Sequence, residues 1–190
     1  MKDFMRMLLI GTLALFLLSC GDACGEPTPA EQDAEVLSYI IDFERLYGYT
    51  VDYEVVLVDE QLTDLPGVLA TCNYGGGKPT IVRIEREFWL ENNANRRRAL
   101  VYHELGHCSM KLDHNDREFP VTILNNRGEL IVVDGPYSLM HSQLFSDRFY
   151  TQPFFSSHYE PQLLEEVEMQ RENPVTERGE IVCTGHDGEH

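Results

Sequence analysis

The stretch His103-Glu104-Leu105-Gly106-His107 decides how this chain is read. A helix turns about 100° per residue, so residues i and i+4 lie within roughly 40° of each other on one face. His103 and His107 can then reach one cation together. Glu104, one residue round the cylinder, comes close enough to hold a water beside that cation without ligating it. The run before the motif, Asn95-Arg96-Arg97-Arg98-Ala99-Leu100-Val101-Tyr102, holds good helix formers and neither Gly nor Pro. Asn92, Asn93 and Asn95 are candidate N-caps. Ala99, His103, His107 and Met110 share one stripe at helical spacing. The alternative is a buried helix whose histidines are satisfied by hydrogen bonds alone. Burying two histidines and a glutamate without a cation is costly, which favours a metal.

A catalytic zinc commonly takes three protein ligands and keeps one position open. The next donors downstream are Asp113 and His114. The run from His103 to His114 resembles the long motif of the metzincin-type metallopeptidases, HExxHxxGxxH or the same with a terminal Asp. Met110 stands where that family has glycine. Counted strictly, the third ligand falls on Asp113. If the helix runs one residue further before turning, it falls on His114. The missing glycine implies a different turn, so His114 is preferred, with Asp113 the alternative or a supporting partner. Ser138-Leu139-Met140-His141, preceded by the turn formers Gly135 and Pro136, resembles the family's methionine turn, with Met140 beneath the metal. The chain also resembles small bacterial lipoproteins with a HELGHC helix. The likeness spans Thr80 to Ser142, about a third of the sequence.

This resemblance implies an α+β, zincin-like fold: a small, twisted, mostly parallel sheet, an active-site helix and a C-terminal helix. It implies Zn2+ as cofactor, a peptide or protein as substrate, and Glu104 as the general base acting on water. Tyr150, Tyr159, His141 and His158 are the candidates for oxyanion stabilisation or the pocket wall, and the sequence does not choose between them. It further implies that the strand before the active helix, near Thr80–Glu87, forms an open cleft edge that pairs with extended substrate. The alternative is a noncatalytic zinc-binding or structural envelope lipoprotein.

Residues 1–19 read as a secretory leader. Lys2 and Arg6 make a short positive start, and Met7 to Leu18 is an apolar run too short for a comfortable membrane span. Leu17-Leu18-Ser19-Cys20 resembles a bacterial lipobox. That likeness implies cleavage before Cys20, lipid on Cys20, and anchoring to the cell envelope through several acyl chains. Gly21 after the cysteine points, by analogy with Gram-negative sorting, to the outer membrane, on either its periplasmic or its surface face. Residues 20–31, with Gly25, Pro27 and Pro29, read as a tether. Residues 32–172 make one metallopeptidase-like domain of ordinary size, expected to be a monomer.

The whole chain carries a net charge of −17. Lys2, Arg6 and Asp3 give the leader +1, so the remainder carries −18. Such acidity excludes nucleic acid, or an anionic membrane surface, as a partner bound through charge. With Cys20 assigned to lipid, Cys24, Cys72, Cys108 and Cys183 remain, an even number for an oxidising compartment. Four cysteines allow three pairings. Cys72–Cys108 is preferred, because it fastens the active helix to the sheet; Cys24 and Cys183 then join the chain ends or stay free. The cysteines lack CxxC spacing, which argues against a cysteine zinc site.

Elsewhere, Ala34–Tyr47 reads as an amphipathic helix stopped by Gly48. Val51–Val58 and Thr80–Ile84 read as strands. Phe119–Leu124 and Glu129–Val133 read as a hairpin around Asn125-Asn126-Arg127-Gly128. Pro161–Arg171 is a late helix. Residues 173–190 read as a polar tail, in which His186 and His190 are solvated histidines. Gly75-Gly76-Gly77 lacks the Gly-Lys-Ser/Thr of a phosphate loop.

Overall fold

Thr28 opens helix α1 (Pro29–Tyr47) with a capping box: its hydroxyl accepts from Glu31 N, and the Glu31 carboxylate accepts from Thr28 N. This box, with Pro29 in the first turn, starts the helix before the apolar stripe at Ala34, so residues 29–31, expected in the tether, are helical. Gly48, in the left-handed region at φ 70°, ends it. The computed structural model describes residues 28–63, 67–74, 79–125, 127–172 and 181–185. The leader, the expected lipid site Cys20, Cys24, His186 and His190 lie outside the described residues.

The chain is α+β. Strands β1 (Glu54–Val58), β2 (Val68–Asn73), β3 (Ile81–Glu85), β6 (Gln143–Leu144) and β7 (Ile181–Gly185) form a sheet in the order β1-β3-β2-β7-β6. The pairs β1–β3 and β6–β7 are parallel, whereas β2 runs antiparallel to both β3 and β7. The sheet is therefore mixed rather than mostly parallel. The segment between β2 and β3 is too short for the crossover that parallel neighbours need, so the chain turns back on itself. Two further expectations change. β3 has a partner on each side, so Thr80–Glu87 is not an open edge; its strand stops at Glu85 and helix α2 (Arg86–Glu91) follows. Residues 181–185 belong to the sheet rather than to a loose tail, pairing Ala70 with Cys183 and Cys72 with Ile181.

Helix α3 (Ala94–Met110) is capped by Asn93, whose side chain accepts from Asn95 N and Arg96 N. It crosses the sheet and is bolted to β2 by the Cys72–Cys108 disulfide, the preferred pairing. Phe43 of α1, Trp89 of α2, Leu100, Tyr102 and Leu105 of α3 and the later Phe155 fill the core. A separate hairpin, β4 (Glu118–Leu124) and β5 (Leu130–Pro136), pairs with Leu124 opposite Leu130. Past a 3-10 turn (Asp147–Tyr150), an α-helical turn (Gln152–Phe154) widens into a π-helical one (Phe155–Tyr159) before α4 (Glu160–Glu172). Among the described residues no helix is long and apolar enough to cross a membrane.

Candidate metal centre

The end of α3 builds the centre. The helix passes Met110, and Lys111 then takes the left-handed conformation at φ 61°, ψ 30°, its N–H donating to Gly106 O. That conformation costs a non-glycine residue on the order of 1 kcal/mol. Here it is offset by the ammonium, which donates to Cys108 O and sits 3.9 Å over the Tyr74 ring. Leu112 N closes the turn on Gly106 O. Turning one residue later than a glycine at position 110 would allow brings back His114, not Asp113. Asp113 is exposed and lies outside the cluster.

His103, His107 and His114 each offer a ligand atom within 4.8 Å of the others'. Their ring centroids lie 4.6 to 5.4 Å apart. His103 Nδ1 meets Leu139 O at 2.5 Å and His107 Nδ1 meets Leu112 O at 2.6 Å. Carbonyl oxygens only accept, so they assign the proton of each neutral ring to Nδ1. The two Nε2 lone pairs then face each other across 2.9 Å. They repel unless a proton or a cation lies between them. Burial, helped by the neighbouring His107 and His114, holds His103 well below its usual pKa, so the ring stays neutral. Burial also lowers His114, against the pull of Asp116. The donor set therefore fits a divalent ion that accepts imidazole nitrogen. His103 and His107 are buried, and His114 is the half-buried member.

Met140 lies beneath this group. A Cβ on Gly106 would stand 2.5 Å from its sulfur, so the glycine leaves room for the Met140 thioether against α3. The same turn supplies Leu139 O to His103. Glu104 is fully buried beside the ligands on α3. Its charge reaches Tyr53, whose hydroxyl shares a 2.6 Å hydrogen bond with Ser109; burial foremost, then Asp52 and Glu104, push that hydroxyl up to about 12.

The aromatic and histidine candidates separate. Tyr150 is a core residue whose hydroxyl accepts from Phe145 N, and Tyr159 is a core residue whose hydroxyl donates to Pro136 O. Both pack in the core with these backbone partners. His158 contacts Tyr137 O through Nε2 and stacks on Phe119. Of the four, His141 is the one whose charge is felt at both His103 and His114. It is buried at the rim, with Nδ1 3.6 Å from Asp116 and Nε2 3.8 Å from Glu118.

Sequence reasoning missed Glu166. It interrupts the buried stripe Gln162, Leu163, Val167 of α4, and a carboxylate on an apolar face is the signal that could have found it. Burial raises its pKa against hydrogen bonds that favour the ion. No family model, curated protein or solved structure matches the chain.

Proposed function

We propose that this protein is a zinc-dependent peptidase in which His103, His107 and His114 hold the ion and Glu104 acts as general base. The observation that carries the reading is the convergence of three imidazoles, two with their Nδ1 atoms tied to carbonyl oxygens, next to a buried glutamate. When bound, zinc supplies a Lewis acid and brings the pKa of a coordinated water to about 7. Glu104 takes a proton from the water whose oxygen bonds to the scissile carbonyl carbon and passes it to the amide nitrogen, so that the C–N bond breaks with release of an amine rather than an amide anion. Leu139 O and Leu112 O hold the first two rings in the tautomer that presents Nε2. His141, whose charge is felt at His114, is the candidate for the pocket wall.

The lipobox likeness at Cys20 extends the proposal to an enzyme tethered to the bacterial envelope, with a peptide or protein as substrate. Replacing Cys20 by Ser would release the protein to the soluble fraction and abolish acyl labelling. Unchanged labelling would refute the anchor.

The burial of His103, Glu104 and His107 favours a second reading, a zinc site that only stabilises the fold. Glu104→Gln separates the two. Purified variant and wild type are loaded with one zinc and incubated with a peptide library, and cleavage is read by mass spectrometry. The peptidase reading expects the variant to keep its zinc and lose hydrolysis by at least 100-fold, in line with the loss of a general base. Hydrolysis that survives the change removes Glu104 from that role; a wild type that cleaves nothing supports the stabilising site.

A further inference from the structure

The loop carrying His114 and the turn carrying Met140 are joined side by side. Asn115 N donates to Met140 O at 2.8 Å, Tyr137 N donates to Arg117 O at 2.8 Å, and Ser142 N donates to the Asp116 carboxylate at 2.7 Å. Both segments are then gripped from a third element. Glu166, on α4, accepts from the Asn115 amide at 2.5 Å with Oε1 and from the Ser138 hydroxyl at 2.7 Å with Oε2. The Ser138 oxygen in turn accepts from Met140 N at 2.9 Å. Asn115 directly follows the third candidate ligand, and Leu139, whose carbonyl orients His103, directly follows Ser138. One buried carboxylate thus spans the two segments that complete the centre around α3.

We propose that Glu166 is a positioning residue of the metal centre: its two carboxylate oxygens hold the His114 loop and the methionine turn at the spacing at which three imidazoles converge. It touches neither the ion nor substrate. Its effect passes through Asn115 to His114 and through Ser138 to Leu139 and His103. A cavity of about 210 Å³ lined by Leu112, Asp113, Asn115, Glu166 and Met169 lies against it. Water can therefore replace a truncated side chain, and the loss falls on loop position rather than on a dry void. The inference rests on the metal-centre reading above.

The test titrates zinc, and separately cobalt(II), into metal-free full-length chain with its disulfide formed. Wild type is compared with Glu166→Ala, Glu166→Gln, Asn115→Ala and Ser138→Ala. Supporting groups around metal ligands typically change affinity 10–100-fold. Glu166→Ala is expected to weaken zinc by that factor and to alter the visible cobalt spectrum, which reports ligand number and geometry. Glu166→Gln, keeping one acceptor, is expected to fall between it and wild type. If Glu166→Ala fails to fold, Asn115→Ala and Ser138→Ala each cut one arm and carry the same expectation at smaller size. A residue that merely stabilises α4 would lower the melting temperature of the metal-free protein and leave the cobalt spectrum unmoved. Zinc affinity within threefold of wild type, with an unchanged cobalt spectrum in the folded variants, overturns this proposal while the centre itself stands. A wild type that binds no zinc overturns both.

Discussion

Replacing Gly106 by Ala should fail to stabilise the protein and cost up to about 2 kcal/mol, although the same change in an ordinary helix is stabilising. In a helix interior, Ala is favoured over Gly by about 0.8–1.0 kcal/mol. Gly106 lies mid-way along the final turns of α3, where its added Cβ would stand 2.5 Å from Met140 Sδ and 3.2 Å from Met140 Cε. Ordinary carbon contacts need about 3.5–4.0 Å, so the methionine must retreat by roughly 1 Å. Its side chain is flexible, yet it is fully buried under the helix and has packed neighbours behind it. Overpacking of that kind costs about 1–3 kcal/mol, which outweighs or cancels the gain in helix propensity. The net expectation is a loss of about 0–2 kcal/mol. At about 2–4 °C per kcal/mol for a domain of this size, the melting temperature should fall by up to roughly 8 °C. The assay is thermal unfolding by circular dichroism, on metal-free protein with the disulfide intact, for both single variants and the double variant with Met140→Ala. In the Met140→Ala background the obstacle is gone, so Gly106→Ala should raise stability by about 1 kcal/mol. The effect of one substitution thus differs between the two backgrounds by a coupling of about 1–3 kcal/mol. Equal stabilisation in both would refute the placement of Met140 against α3.

Removing the disulfide as Cys72→Ala/Cys108→Ala opens a loop with a sequence separation of 36, worth about 4 kcal/mol by chain entropy and typically about 2–4 in practice. Denaturant unfolding should show that loss, and a change below about 1 kcal/mol would mean that the bridge does not constrain the chain. Glu166 adds a pH dependence. Its carboxyl is raised above the usual 4.5 by burial, so its contribution to stability is fully present below the unfolded-state pKa and is lost as pH rises through the raised folded-state value. The melting temperature of metal-free wild type, relative to Glu166→Gln, should therefore fall as pH climbs above about 4.5. A difference that grows with pH would contradict the direction of the shift.

The helix carrying His103 and His107 is legible in the sequence because its signal is local: two histidines four apart, helix formers before them and Asn93 to cap the start. The third member of the cluster is legible only as a choice between Asp113 and His114. What decides it is a left-handed Lys111, stabilised by Cys108 O and by the ring of Tyr74 on another element. No glycine or asparagine marks that turn. β7 is hidden for a different reason. Its Ile-Val-Cys-Thr core is short, polar residues flank it, and its partner β2 lies more than a hundred residues earlier, where no periodicity reaches. The inner position of β3 likewise depends on how the chain crosses between strands, which residue types do not encode. Tyr150 and Tyr159 show the limit of choosing residues by type. Each is a hydroxyl close in sequence to the methionine turn, but Phe145 N and Pro136 O claim those hydroxyls once the core is packed. Glu166 went unseen because it stands between Glu165 and Glu168 in a glutamate-rich helix, and only its place in the buried stripe, where Asn115 and Ser138 close on it, sets it apart.

The most direct measurement counts zinc per chain after equilibration and dialysis, in wild type and in four single variants. One zinc per wild-type chain is expected, lost on His103→Ala, His107→Ala and His114→Ala and kept on Asp113→Ala. Less than about a tenth of a zinc per wild-type chain, or a metal that survives His114→Ala and leaves with Asp113→Ala, would contradict the three-imidazole centre.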